Sequence, residues 1–215
     1  MTRVSQQHGV FFAFCIYAMA LGAIFPRLGD MQVQMGIGEG QLGMSVIGAA
    51  LGVQLSLLVA GRVLRQVGFR WIMVVGIMII SGAEMIASLS LGPLAFFCWL
   101  FVAGLSIGVV EVAVNVEADR TEFQIGRRVM NRCHAFWSFG FFGSGLVGAL
   151  IAQLHISVFA HMAGFMIFTS CSALLLIRFY QPAIPRPGED SQSVTFACPT
   201  KPILMLVALT LSAML

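Results

Sequence analysis

Eleven of the chain's twelve Lys and Arg residues lie on one side of a membrane if its apolar stretches cross that membrane in turn. Six such stretches can be read, roughly 9–26, 42–60, 71–91, 94–116, 133–153 and 156–177. Each has about the 17–25 residues that carry a helix across a ~30 Å hydrocarbon core. The segment before span 1 holds Arg3. The segments after spans 2, 4 and 6 hold Arg62, Arg65 and Arg70; Arg120, Arg127, Arg128 and Arg132; and Arg178, Arg186 and Lys201. The other side has Arg27 alone. Lys and Arg collect in cytoplasmic loops, so the amino terminus and the 178–201 connection are expected in the cytoplasm. The expected fold class is all-α, a multi-pass bundle in the inner or plasma membrane.

Composition excludes the alternatives. At 59% hydrophobic and 10% charged residues, the chain cannot cover a water-soluble surface, since soluble domains average about 25% charged. The net charge of +3 is topogenic. No basic cluster interleaves aromatic residues, so no nucleic-acid partner is expected. Five Cys residues without CxxC spacing and four His residues without ligand spacing point to no disulfide framework, no metal and no cofactor. No nucleophile or acid pair suggests an enzyme. Arg3, the apolar run from Val10 and Ala18-Met19-Ala20 imitate a cleaved secretory signal. The run continues through Phe25, however, and is expected to stay as the first span.

Connections on the outer side are short, apart from 27–41, which reads as a longer polar loop. The spans therefore form two sets of three, the second inverted relative to the first. Residues 181–202 are rich in Pro, Ser and Thr and read as a linker, too polar to pack. A seventh apolar stretch begins at Ile203. The expected organisation is a bundle over 1–180, a cytoplasmic linker over 181–202 and the start of a further helix over 203–215.

Polar residues within the spans carry the functional reading. Gly104, Gly108, Glu111 and Asn115 share one stripe of span 4. A Glu inside a span costs a few kcal/mol unless it faces protein or water. Glu111 is thus either a carboxylate that exchanges protons or faces substrate, or a structural group bonded between helices. Glu84 in span 3 either lines a cavity on a substrate or proton pathway or sits near an interface. Gln54 in span 2 and Ser138 and Ser144 in span 5 can bond a substrate or glue helices together. The run 143–148 matches GxGxxG, but it interrupts an apolar span and follows no strand, so no dinucleotide site is implied. Gly140, Ser144 and Gly148 instead form a small-residue packing stripe with Trp137 on the same face, and Gly48 and Gly52 repeat the device in span 2.

These features together resemble the amino-terminal half of a major facilitator superfamily transporter, in the branch of fucose permease and related sugar or orphan permeases. Gly61-Arg62-Val63-Leu64-Arg65-Gln66-Val67-Gly68-Phe69-Arg70 occupies the position of the superfamily's G-x-x-x-D-R-x-G-R-R gating loop between spans 2 and 3. Glu111 and Asn115 match an E-x-x-x-N of span 4. Glu122, Gly126-Arg127 and the run from His134 to Gly140 look like the loop between spans 4 and 5 and the start of span 5. Two positions depart from the pattern: Arg65 stands where the loop motif has Asp, and Gly22 where sugar-coupled relatives carry an acid.

The resemblance implies alternating access around a midplane site in a six-helix bundle with a 3+3 inverted repeat. Glu111 would exchange protons, Asn115, Gln54 and Trp137 would face a small-molecule substrate, and Gly61, Arg65, Gly68 and Arg70 would gate. It also implies that the bundle works in a lipid bilayer against a carboxyl-terminal six-helix half or a second copy. The competing reading is a non-transporting membrane remnant or an assembly partner for other helices.

Overall fold

The computed structural model describes residues 3–187, with side chains from Gln6 onward, and Met205. The expected linker beyond 187, and the seventh apolar stretch apart from Met205, lie outside the described residues. The elements are α1 (Arg3–Gly22), a 3-10 turn (Phe25–Arg27), α2 (Leu28–Met35), α3 (Glu39–Val67), α4 (Phe69–Ala87), α5 (Pro93–Ile125), α6 (Met130–Gln153) and α7 (Val158–Phe179), with no strand among the described residues. Six of these segments are long and apolar enough to cross a membrane, α1 through α2 counting as the first. The fold is a polytopic helical bundle, the arrangement by which a chain in lipid satisfies its own backbone polar groups.

Turn chemistry sets where the helices stop. Gly126 ends α5 in the left-handed region at φ 68°, and its N–H returns to the Glu122 carbonyl at 2.9 Å. The Glu122 carboxylate then accepts the N–H groups of Val129 at 2.6 Å and Met130 at 2.7 Å. One acidic side chain thereby caps the next helix, whose first N–H groups have no partner of their own. Gly68, at φ 80°, is the one residue between α3 and α4. Gly61 and Arg65 consequently lie on helix α3, and the connection read from sequence as a loop is a one-residue turn.

A second difference falls at 27–41, where α2 replaces most of the expected polar loop. Met31 is buried there among Ile24, Phe96 and Met162. A third concerns the start of the linker, where Ala183 is buried.

Helices α1, α4, α5 and α7 pack together, α3 lies along α5, and α6 lies along α1. Spans 1 and 4, and spans 2 and 5, are equivalent under a 3+3 repeat, so the two outer contacts are the same contact used twice. Both are built from small residues. The buried stripe of α3 is Ser45, Gly48, Gly52, Ser56, Ala60 and Leu64. A Cβ on Gly52 would strike the Phe101 carbonyl, and one on Gly104 would strike the backbone of Ala49. In α6, a Cβ on Gly140 would strike the Cys15 carbonyl, one on Gly148 would strike Pro26, and Ser144 lies against Gly22. Backbones this close gain dispersion contacts that larger residues would forbid. The opposite faces of α3 and α6 expose Leu51, Leu55 and Leu58, and Phe139, Phe142 and Leu146. Hydroxyls tie the inner helices: Ser81 and Thr169 join α4 to α7 at 2.9 Å, and Ser106 donates to the Gly76 carbonyl at 2.9 Å.

Candidate functional site

Three side chains meet where α1 crosses α5. Asn115 Nδ2 donates to the Glu111 carbonyl at 2.8 Å and to Glu111 Oε1 at 3.0 Å. The four-residue spacing puts the amide directly over the carboxylate of the preceding turn. From α1, the buried Tyr17 brings its hydroxyl against the same carboxylate. Glu111 and Asn115 are themselves only half-buried. A carboxylate with two donors fixing it and a path to the surface can hold or release a proton without disturbing the helix that carries it. Gly108 and Gly104, about one and two turns away on the stripe, press α5 against α3. The carboxylate therefore sits on a helix that is held rigidly.

The other sequence candidates lie elsewhere. Gln54 is exposed on α3, and Trp137 is half-buried on α6, stacked on Phe141 with centroids 5.3 Å apart. Neither has a polar contact with Glu111 among the described residues. Ser138 is exposed and donates to the His134 carbonyl at 3.0 Å. Glu84 is buried in α4 and lines a cavity of about 40 Å³ enclosed by α1, α3, α4 and α5. Arg70, exposed at the start of α4, donates to the Ile177 carbonyl at 2.7 Å and the Tyr180 carbonyl at 2.9 Å. It thus grips the end of α7. Arg65 is exposed, and Gly61 faces its guanidinium.

Two polar clusters escaped the sequence reading. At the near side, where the chain begins, Glu117 Oε1 accepts the Tyr180 hydroxyl at 2.6 Å and the Ala183 N–H at 2.6 Å. The Tyr180 ring packs against Gly9 and edge-on to Phe69. Burial first, and the Glu117 carboxylate second, push the Tyr180 phenol above its ordinary pKa, so the hydroxyl remains a donor. α1, α4, α5 and the end of α7 are all fastened at this tyrosine. Span 4 read as ending at Val116 left Glu117 outside the membrane, whereas α5 continues to Ile125.

At the far side, Arg27 pairs with Asp30 at 2.6 Å and donates to the Ile156 carbonyl at 2.9 Å. Arg27 is only 3% exposed, so it is a buried tie between α1 and the α6–α7 turn and no loop cation. His161 of α7 lies beside it.

No family model matches the chain. It is similar to an uncharacterised MFS-type transporter of Yersinia pestis, with 27% identity over 154 residues, covering 69% of this chain and 39% of the relative. It is also similar to an uncharacterised transporter of Sinorhizobium fredii, with 28% identity over 157 residues, covering 71% of this chain and 41% of the relative. The chain thus spans well under half the length of the curated relatives it matches. Six helices among the described residues are long and apolar enough to cross a membrane, which fits a multi-pass membrane protein.

Proposed function

We propose that this chain forms one six-helix bundle of a major-facilitator secondary transporter that moves a small, sugar-like solute by alternating access, with Glu111 exchanging the coupling proton. The observation that carries the reading is the Tyr17–Glu111–Asn115 cluster inside the membrane-length helices. A carboxylate held there by two donors has a chemical use, and hydrophobic burial alone does not require it. Asn115, Gln54 and Trp137 face the substrate as the bundle closes, and Arg70 and Gly68 form part of the near-side gate. The exposed apolar faces of α3 and α6 meet a second six-helix bundle or a second copy. Placement in the fucose-permease branch rests on Glu111 and Asn115 together with Glu122, Gly126-Arg127 and the run from His134 to Gly140.

The test is solute uptake by the chain reconstituted in vesicles, alone and together with a carboxyl-terminal bundle, under an imposed proton gradient. Glu111→Gln should abolish gradient-driven accumulation while leaving substrate binding or exchange. Accumulation that survives this change makes Glu111 structural and sinks the proposal.

The amino terminus is proposed to be cytoplasmic in an inner or plasma membrane. Because Arg27 is buried, a far-side reporter belongs at the exposed His155 and a near-side one at the exposed Arg127. An impermeant thiol reagent should label His155→Cys and spare Arg127→Cys in intact cells. The reverse pattern inverts the topology.

A further inference from the structure

Glu84 is 3% exposed, yet among the described residues its carboxyl accepts no hydrogen bond and faces no cation. The cavity it lines is otherwise walled by apolar side chains, among them Leu21 of α1, Ile24 just beyond it, Ala49 of α3, and Ala103 and Ile107 of α5, with the exposed Phe25 at its rim. The nearby charged and titratable groups make no contact with Glu84, although Arg27 Nη1 and both ring nitrogens of His161 have no hydrogen-bond partner among the described residues. Arg27 bonds Asp30 and the Ile156 carbonyl, His161 of α7 lies against Arg27 and Phe165, and Glu111 of α5 bonds Asn115. A bare carboxylate in such surroundings is far too costly to persist, so in this arrangement Glu84 carries its proton. The cavity's volume of about 40 Å³ exceeds the ~10–15 Å³ that a water molecule needs.

Two of the helices that wall this cavity, α1 and α5, also build the Glu111 site. Four residues from Leu21 along α1 stands Tyr17, and four residues from Ile107 along α5 stands Glu111. Both steps run toward the near side, and both cover one helical turn, about 6 Å of rise. Tyr17 and Glu111 meet at the end of those steps. Leu21 and Ile107 therefore form a single apolar layer between two carboxyl groups.

We propose that Glu84 is a second proton-binding station, on the far side of Glu111 and separated from it by the Leu21–Ile107 layer. This deepens the reading of Glu111 as a proton-exchanging group and supplies it with a source. When the layer parts, the O–H bond of Glu84 breaks and an O–H bond forms on the Glu111 carboxylate, through intervening water. Glu84 is left as a carboxylate and takes a new proton from the far side past Phe25. No electron changes hands, and the pathway needs no further reactant.

Infrared spectroscopy of the chain reconstituted in lipid vesicles tests this without requiring transport. At neutral pH the wild-type chain should show the carbonyl stretch of a protonated carboxyl group in apolar surroundings. Glu84→Gln should lose that band and Glu84→Asp should shift it, with helix content by circular dichroism equal to wild type in both. Glu111→Gln should keep the band, and Ile107→Ala, which thins the layer and opens a second route, should speed its exchange in deuterated buffer. A band that persists in Glu84→Gln overturns the inference. So does an exchange rate that Ile107→Ala leaves unaltered. If solute flux is absent while these spectroscopic changes appear, the transport proposal fails and the proton station stands. If flux depends on Glu111 and Glu84→Gln loses no band, the transport proposal stands and the proton station fails.

Discussion

Glu117 and Glu84 are equally removed from solvent, at 1% and 3% exposure, yet their surroundings have nothing in common. Glu117 ends a network: its Oε1 takes a phenol and a backbone N–H, and it draws the exit of α7 onto α5. Glu84 faces a small apolar cavity and takes no hydrogen bond among the described residues. Burial alone therefore does not say what a carboxyl in a membrane-length helix is for; compensation does. An acid whose oxygen takes two buried donors spends its electrostatics on holding helices together. An uncompensated one is a local cost to stability, and such costs persist where the group has work to do.

The first way to break this comparison is to remove Glu117. Glu117→Ala leaves the Tyr180 hydroxyl and the Ala183 N–H buried without their acceptor, at about 1–3 kcal/mol each. It also leaves a cavity in the closely packed end of α5. The chain should lose roughly 2–5 kcal/mol of stability, read as a fall in thermal midpoint in detergent. The 180–183 segment should become sensitive to protease. A midpoint unchanged from wild type would show that Glu117 is no better supported than Glu84.

A smaller effect is expected from the α3–α5 seam that borders the Glu84 cavity. Gly104 sits against the backbone of Ala49, and Ala49 also lines the Glu84 cavity. Gly104→Val forces α3 away from α5, and overpacking of this kind costs about 1–3 kcal/mol. The damage should be one-sided. The cavity wall opens, while the Glu117–Tyr180 contact, which involves no residue of α3, survives. Thermal unfolding combined with protease cleavage at 180–183 checks both halves: a lower midpoint with an intact segment is the expected result. Loss of the segment's protection would mean that the two ends of α5 are not independent.

What the sequence discloses follows the reach of each signal. A membrane span is a local property of some twenty residues, and the side on which Arg and Lys fall is a sum along the chain. Both survive without knowledge of packing, so the all-α, six-span architecture can be read directly. Small-residue stripes such as 48–52 and 140–148 are likewise visible because one helix contains them whole. The pairing of Tyr17 with Glu111 is of another kind. It joins residues 94 positions apart and depends on how two helices are rotated about their axes, which no periodicity within either helix specifies. Glu117 was hidden by a boundary placed at the end of an apolar run, although α5 continues well past it. Arg27 misled for the opposite reason. Its charge suggested an exposed loop, but the carbonyl of Ile156, 129 residues away, accepts its hydrogen bond in the interior.

The smallest expected effect is the sharpest test of the comparison. Glu84→Leu replaces the acid by an apolar side chain of similar size in a wall already made of Leu, Ile and Ala. The carboxyl has no bond to lose, so no partner is left unsatisfied. Removing an uncompensated polar group is neutral or stabilising, by up to roughly 1–2 kcal/mol. The thermal midpoint of Glu84→Leu should therefore equal or exceed that of wild type, against the large fall expected for Glu117→Ala. Stability and function would then separate at this position: a sturdier protein with its far-side proton station gone. A fall of more than about 2 kcal/mol, the scale on which a broken buried network is felt, would mean that Glu84 holds the bundle together through a contact of its own. The contrast between the two acids would then collapse into a difference of degree.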